Sequence, residues 1–265
     1  MPDLHWTIPV GRWSSCPAAA SAAPDIGFIE PIVRRRLSTL SKAALKVAYD
    51  CVAGAHVRVV FASRHGELRR TTDILRSISA AQPVSPTAFS LSVLNAMTGI
   101  FGIARGDRSA ASAISAGAET LGYGLLEAHA QYATQSASPV LLVYADEPAD
   151  PAYGTIEDEV QGGAIAVLLD SEASAGQMVC TVSRAGQEPS TQTGDAIQAG
   201  APGATAEGIV AGSSAGTGIR ANAAPTSASF ATQSEALLHC LQTGQSACWQ
   251  GAGTVWQWSW RVRAA

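Results

Sequence analysis

Two spacings of apolar residues alternate along this chain. Helical spacing, with apolar positions three or four residues apart, predicts helices in five stretches. These are "VRRRLSTLSKAALKVAYDCVA" (with Leu37, Leu40, Ala44, Val47 and Cys51 on one face), "LRRTTDILRSISAA", "SLSVLNAMTGIFGIARGD", "GAETLGYGLLEAHAQYA" and "SEALLHCLQTG". Runs of apolar, β-branched or small residues predict strands in "HVRVVFASRHGE", "RSAASAI", "PVLLVYADE" and "GGAIAVLLDSE", and the opening "LHWTIPVGRW" is predicted to be extended. This alternation predicts an α/β layered domain whose central sheet is covered on both faces.

The end of the chain shows strict alternation instead. In "GTVWQWSWRVRAA", Trp256, Trp258 and Trp260 alternate with polar residues, so three indoles share one face of a predicted strand. Such a face must be covered, either by the chain's own core or by another subunit.

Composition divides the chain into three parts. Residues 185–228 contain no aromatic residue and consist mainly of Ala, Gly, Ser, Thr and Pro, which bury too little surface to offset the entropy of ordering. We therefore predict a structured domain at 1–184 and a low-complexity mobile loop at 185–228. A C-terminal helix and Trp-rich strand at 229–265 should pack back on the core or on a partner.

Charge is distributed unevenly. Residues 1–108 carry 13 Lys and Arg against 7 Asp and Glu, whereas residues 109–265 carry 4 against 14. The basic half, which includes Arg34-Arg35-Arg36, Arg64, Arg69 and Arg70, is suited to an acidic partner, although a solvated helix face with internal ion pairs explains it equally well. Nucleic acid is disfavoured as that partner, because no aromatic residues interleave with these arginines.

Composition also limits the class of protein. At 265 residues and 47% hydrophobic content, the chain is long enough for one sizeable core. No apolar run approaches the roughly 18 residues of a membrane span, and the start lacks the features of a signal peptide, so a cytoplasmic protein without membrane insertion is expected. The five cysteines lack metal or redox spacing, and the acids at 146–147 and 157–159 are taken as solvated surface. Neither a metal nor a cofactor is predicted.

Two short stretches carry candidate chemistry. "SAISAGAE" has the strand–turn–helix pattern that presents a nucleophile in α/β enzymes, but Ile114 stands at its tip. Ser115 beside it is either a nucleophile or, as we favour, the N-cap of the following helix. In "SRHGE", His65 and Glu67 form a candidate acid/base pair, or else Arg64 and Glu67 anchor the turn.

Several longer stretches together resemble one family. "SPTAFSLSVLNAMTGIFGIARGDRSAASAISAGAETLGYGLLEA" resembles the ketosynthase segment of the thiolase fold, on the positions Asn95, Gly99, Gly106, Gly117 and Gly122. "RRRLSTLSKAALKVA", "VVFASRHGEL" and "LLVYADEPADPAYG" resemble the β-ketoacyl synthase-like, chain-length-factor-type proteins of aryl polyene and xanthomonadin-like pigment clusters. The resemblance covers about residues 28–170 well and the tryptophan-rich ending loosely.

The resemblance implies a truncated thiolase-like fold, equivalent to the N-terminal half of a ketosynthase, with a central mixed sheet covered by helices. Ile114 then takes the place of the acyl-accepting cysteine. The chain is expected to end where a second half would supply the catalytic histidines, for which His65 and His129 are poor substitutes. A non-catalytic subunit follows, which pairs with an active ketosynthase through the strand "RSAASAI".

The resemblance also implies particular sites and partners. Candidates for the acyl tunnel or the subunit interface are Leu68, Thr71, Ile74, Leu75, Ser109, Ala111 and Ala113. Candidates for binding an acyl carrier protein are Arg34, Arg35, Arg36, Arg69 and Arg70. Two alternatives remain open at this point: a free-standing acyltransferase or thioesterase that uses Ser115 with His65, and a homodimeric acyl-binding protein.

Overall fold

The computed structural model describes residues 3–18, 23–52, 54–172, 175–185, 227–251 and 253–262. Almost all of the predicted low-complexity loop lies outside these residues. The strands are β1 (Leu4–Pro17), β2 (Arg58–Ala62), β3 (Ala111–Ile114), β4 (Val140–Asp146), β5 (Gly163–Leu169), β6 (Gly176–Arg184), β7 (Ala228–Phe230), β8 (Ala247–Gly251) and β9 (Thr254–Val262). The helices are α1 (Pro31–Arg34), α2 (Thr39–Val52), α3 (Leu68–Ser79), α4 (Pro86–Ser90), α5 (Ala96–Arg105), α6 (Thr120–Thr134) and α7 (Gln233–Thr243), with short 3₁₀ helices at Gly117–Glu119 and Pro151–Tyr153.

The described strands form one sheet in the order β3-β2-β4-β5-β1-β6-β9-β8-β7. The strands on either side of the boundary between β1 and β6 are paired in the same pattern. β1 is antiparallel to β5, β5 is antiparallel to β4, and β4 is parallel to β2. In the same way, β6 is antiparallel to β9, β9 is antiparallel to β8, and β8 is parallel to β7. Because β1 and β6 are themselves antiparallel, an approximate two-fold axis relates the two sets of strands.

This repeat corrects one expectation from the sequence. The prediction that the chain ends where a second half would begin is wrong, since β6 to β9 and α7 form a reduced second half. Among the described residues, this second half has no counterpart of β3. The repeat is hidden in the sequence because β9 alternates polar and apolar residues, whereas β4 and β5 are almost continuously apolar.

Two hydrophobic layers lie on opposite faces of the sheet. On the outer face, α2 and α5 cover residues such as Leu141 and Val143. On the inner face, α6 and α7 cover residues such as Leu142 and Trp258. Helix α6 contacts β4 and also packs against Trp256 of β9, which lies four strands away. The sheet therefore curves around α6, and this helix joins the two halves.

The tryptophan-rich strand is covered by the chain's own core. Trp256 and Trp258 of β9 are completely buried, and Trp260 packs at the edge of the same cluster. Trp6 meets Trp256 edge-on, with 6.0 Å between ring centroids. The sequence left open whether the chain's own core or another subunit covers these tryptophans, and the structure shows that the chain's own core does.

The segment before β3 differs from its prediction. Instead of one continuous helix over 90–107, it forms the last residue of α4, a turn and α5, which ends at Gly106 in the left-handed conformation with φ of 62°. Only Met97, Thr98 and Phe101 of α5 are buried, while Ile103 is 84% exposed. Apolar residues of this segment therefore face outward from the subunit.

Asp107 holds the chain where it enters β3. Its carboxylate accepts hydrogen bonds from the backbone N–H groups of Val57 and Ser109 at 3.0 and 2.9 Å, and it contacts Nδ1 of His56 at 3.0 Å. Burial raises the pKa of this carboxyl, but the hydrogen bonds from Ser109, His56 and Val57 outweigh burial and hold the pKa well below its ordinary value.

This low pKa predicts a pH dependence. A carboxyl whose pKa is lower in the folded than in the unfolded state contributes stability above the unfolded pKa of about 3.9, and that stability is lost as the pH falls through the folded pKa. Urea unfolding between pH 5 and pH 2 should therefore show a smaller loss of stability for Asp107→Asn than for wild type. Asp73→Asn is the control, because the Asp73 side chain is 69% exposed. Identical pH profiles for wild type and Asp107→Asn would contradict this account.

Candidate functional site

The elbow after β3 has the shape predicted from the sequence. β3 ends at Ile114, whose carbonyl accepts a hydrogen bond from the backbone N–H of Ser63. Gly117, with φ of 60°, then turns the chain into the 3₁₀ helix that leads to α6. The half-buried Ile114 side chain packs against the inner core. The tip of the elbow therefore carries a hydrocarbon side chain, which provides no nucleophile.

Ser115 hydrogen-bonds to the turn that follows β2. Its exposed hydroxyl donates to the carbonyl of Arg64 at 3.0 Å. The favoured N-cap role is wrong, because the N-cap position of the 3₁₀ helix is Ala116 and that of α6 is Glu119. No described base contacts Ser115 either, since Nε2 of His65 is paired with Oε1 of Glu159 at 2.8 Å.

His65 and Glu67 do not form an acid/base pair. Glu67 Oε1 accepts hydrogen bonds of 2.6 Å from the hydroxyls of Ser38 and Ser41, and its other oxygen contacts Arg70 Nε at 3.3 Å. The structure instead shows the second interpretation of this stretch, in which charged side chains anchor the turn. Arg64 contributes by donating to the carbonyls of Glu157 and Asp158.

Asp146 is the organising residue of this turn, and the sequence analysis missed it. It was taken as solvated loop surface, yet it is 1% exposed at the end of β4. Its carboxylate accepts hydrogen bonds from Ser63 Oγ at 2.8 Å and from the backbone N–H groups of Arg64 and His65 at 2.8 and 3.0 Å. Burial raises the pKa of Asp146, and these hydrogen bonds oppose that effect. The carboxylate thus fixes the carboxyl end of β2 beside the elbow.

Other titratable groups do not assemble into a metal site in the described part of the chain. No group of three or more His, Cys, Asp or Glu side chains is placed there to hold an ion. The five cysteines are free thiols, and burial raises the pKa of Cys51 to about 12. His129 is half-buried on α6, and burial lowers its pKa. Within the same residues, none of the helices combines the length and apolar character that a membrane span requires.

β3 is an open edge of the sheet among the described strands. It pairs only with β2, and the carbonyls of Ala110 and Ile114 accept hydrogen bonds from the backbone N–H groups of Val59 in β2 and of Ser63 directly after it. Because successive backbone groups of a strand alternate in direction, those of Ala111 and Ala113 point away from β2. Ser109 and Ala111 are exposed, and Ala113 is half-buried. A second strand can therefore add to this edge.

Four of the predicted tunnel or interface residues lie on α3, a helix whose surface is largely exposed. Only Thr72 of α3 is buried, Leu68, Thr71 and Ile74 are half-buried, and Leu75 is 51% exposed. Four apolar residues of α3, α4 and the turn after α4 are exposed, and α3 contacts α4; these four residues are here named the α3–α4 patch. Its members are Leu75, Ile78, Phe89 and Val93, which are 51%, 58%, 62% and 44% exposed. Single exposed apolar residues are common, but a group of four on consecutive elements indicates an interaction surface.

The arginines predicted to bind a carrier protein fall into two groups. Arg70 is engaged within the subunit, because it contacts Glu67 and donates to the carbonyl of Arg36 at 3.0 Å. Carrier-protein binding by Arg70 stays a prediction, and it would have to compete with these contacts. The described ion pairs do not involve the other four, which are half-buried or exposed: Arg34, Arg35, Arg36 and Arg69.

Comparisons with known proteins agree with this geometry. A model of the β-ketoacyl synthase N-terminal domain matches residues 11–211. A search of curated protein sequences found none that matches the chain. Among solved structures, a chain from the complex of the ketosynthase ApeO with its chain length factor ApeC, from Xenorhabdus doucetiae, is similar with 22% identity and a TM-score of 0.66, covering 96% of this chain and 99% of that chain.

A second similar structure is the ishigamide ketosynthase/chain length factor, with 17% identity, a TM-score of 0.50 and 63% of each chain covered. These likenesses confirm the predicted thiolase-like ketosynthase fold. Since the family model spans well over half of its residues, the chain belongs to the β-ketoacyl synthase family.

Proposed function

We propose that this chain is a non-catalytic, chain-length-factor-like subunit that pairs with an active β-ketoacyl-carrier-protein synthase. In a type II polyketide or fatty-acid-like pathway, such as aryl polyene synthesis, it would shape the tunnel that holds the growing acyl chain. The observation that carries the proposal is Ile114 at the tip of the elbow. A thioester needs a thiolate at that position, and a hydrocarbon cannot supply one.

The surroundings of Ile114 support a non-catalytic role. A nucleophile needs a base within hydrogen-bond reach, about 2.6–3.2 Å, and Ser115 bonds only to a backbone carbonyl. His65 is hydrogen-bonded to Glu159, and the carboxylate of Asp146 already accepts hydrogen bonds from three donors of the turn. The polar groups at this end of the sheet therefore stabilise the elbow and are not arranged for acyl transfer.

The open edge of β3 and the α3–α4 patch support pairing with another subunit. Strand addition at β3 would satisfy the outward backbone groups of Ala111 and Ala113, and a partner would also bury the exposed apolar residues of the α3–α4 patch. A ketosynthase is the partner that we infer, because the first similar structure is described as a ketosynthase in complex with its chain length factor. This partner would cover Leu68, Ile74 and Leu75 and so complete the tunnel.

We further infer that an acidic acyl carrier protein approaches the basic half of the chain, where Arg34, Arg35, Arg36 and Arg69 have no ion-pair partner among the described residues. The five free thiols fit the reducing cytoplasm in which these partners are expected to act.

The competing enzymatic hypothesis makes a measurable prediction. Intact-mass spectrometry of the purified chain, incubated with acyl-CoA or acyl carrier thioesters, should show no covalent acyl adduct. Ser115→Ala should leave that result unchanged and lower the free energy of unfolding by less than about 1 kcal/mol, since it removes one exposed hydrogen bond. An adduct that forms on wild type and disappears in Ser115→Ala would establish an acyltransferase or thioesterase instead.

A further inference from the structure

We propose that a cavity between α1 and α5 binds a hydrophobic organic ammonium ion, that is, a small apolar molecule that carries one protonated amine. This α1–α5 cavity is lined by Phe28, Ile29, Glu30, Val33, Ile100, Ile103 and Ala104. None of these residues belongs to the β3 edge, to the α3–α4 patch or to the arginines assigned to carrier-protein binding. The inference is therefore independent of the proposed function.

The cavity has the size and the walls of a small-molecule site. It encloses about 290 Å³, whereas an apolar cavity of about 150 Å³ already holds a benzene molecule. All of its lining residues except Glu30 are apolar, so an apolar group is favoured over water inside it. A single six-membered ring with a short substituent fits this volume.

Aromatic residues behind the lining fix the shape of the cavity. Phe28 stacks on Tyr49 with ring centroids 4.1 Å apart, and it meets Phe101 edge-on at 6.2 Å. Phe101 is 1% exposed and belongs to the outer hydrophobic layer. The wall that contains Phe28 is therefore held in place before a ligand arrives, which reduces the entropy lost on binding.

One carboxylate selects the charge of the ligand. Residues 28–33 and 100–104 form the two walls, and Glu30 is the only charged residue within these ranges. Glu30 is exposed, and no ion pair in the described part of the chain involves it. An ammonium group beside the Glu30 carboxylate would leave the apolar part of the same molecule in the cavity.

The arginines that follow the two walls do not occupy this carboxylate. Arg34 lies one helical turn after Glu30, but among the described ion pairs there is none between them. Arg105 is engaged elsewhere, because its guanidinium lies 4.6 Å from the centre of the Phe101 ring and its Nη1 atom lies 3.3 Å from Oδ2 of Asp107. A cationic ligand thus meets an acid without an ion-pair partner, whereas an anionic ligand would face the like charge of Glu30.

The test compares three molecules that share one cyclohexyl ring: cyclohexylmethylamine, cyclohexylmethanol and cyclohexanecarboxylate. Each is titrated at neutral pH into the purified chain, alone or with a ketosynthase, after isotope labelling of the isoleucine methyl groups. Methyl NMR signals of Ile29, Ile100 and Ile103 should shift on binding, while Ile78 of the α3–α4 patch is the control that should not move. The amine should bind about threefold more tightly than the alcohol and about tenfold more tightly than the carboxylate, as expected when one exposed charge attracts or repels the ligand.

Substitutions at two exposed positions assign this selectivity to the cavity. Glu30→Gln removes the charge and keeps the size of the side chain, so the amine and the alcohol should then bind equally within about twofold. Ile103→Lys, at a residue that is 84% exposed, should weaken amine binding by about fivefold or more, because it adds a like charge. Ile103→Met is its matched control and should change amine binding by less than about twofold, since it keeps the apolar contact. Because both positions are exposed, these changes should leave folding intact.

Any of four results would overturn the proposal. They are absence of amine binding, shifts confined to Ile78, a preference for the amine that survives Glu30→Gln, and tighter binding of the carboxylate than of the amine. The last would show that arginine charge, rather than Glu30, governs the cavity. Pairing with a ketosynthase is measured separately by light scattering, so failure of this proposal and failure of the proposed function are distinguishable.

Discussion

Replacing Gly122 with alanine should destabilise the protein by about 3 kcal/mol or more, the upper range for overpacking a core. A Cβ atom at this position would lie 2.5 Å from atoms of the Trp256 ring. The ring cannot move easily, because Trp256 is fully buried and its indole N–H donates to Glu119 at 2.9 Å. The helix is also held, since the backbone N–H of Gly122 donates to Gln233 at 2.8 Å.

Gly99→Ala is the matched control for this substitution. Gly99 lies within the exposed face of α5, and a Cβ atom there would meet nothing within 4 Å. Alanine should therefore stabilise the protein by about 0.5–1 kcal/mol through its better helix propensity. Urea unfolding of both variants gives the comparison. Wild-type stability in Gly122→Ala would show that α6 does not pack against β9, and the account of how the two halves join would fail.

Replacing Ala113 with proline should abolish pairing with the ketosynthase while leaving the subunit folded. The backbone N–H of Ala113 points away from β2, so proline removes a donor at the open edge and none from the existing ladder. Loss of one edge hydrogen bond, with steric exclusion of the incoming strand, should raise the dissociation constant about 100-fold or more. Size-exclusion chromatography at defined concentrations measures this shift.

Ala113→Ser is the control, because it changes the side chain but keeps the N–H. It should pair within about threefold of wild type, as expected for a small change at an edge position. Circular dichroism should show that both variants are folded. Undiminished pairing of a folded Ala113→Pro variant would mean that β3 does not form the interface.

Local patterns in the sequence were sufficient to predict the helices and strands whose apolar residues are regularly spaced or continuous. Apolar periodicity predicted α2, α3, α6 and α7, and continuous apolar runs predicted β2, β4 and β5. β6, β7 and β8 were missed, because these strands are short or mix polar with apolar residues and lie beside segments of low hydrophobicity. Without these three strands, the second half of the sheet could not be predicted.

The candidate site shows the same division between local and distant causes. The strand–turn–helix shape of the elbow is local, and it was predicted with Ile114 at the tip. The role of Asp146 was not predicted, because the groups that donate hydrogen bonds to its carboxylate lie 81 to 83 residues earlier in the chain. The direction of the Ser115 hydroxyl likewise depends on Arg64, a residue of a neighbouring segment. Contacts of this kind follow from strand order, which periodicity does not encode.

The most direct test of the central claim is the mass of the chain in solution after co-expression with each ketosynthase of its source genome. Multi-angle light scattering of the co-purified material should give a one-to-one heterodimer. A stable monomer or homodimer that binds no ketosynthase would contradict the account and would favour a homodimeric acyl-binding protein.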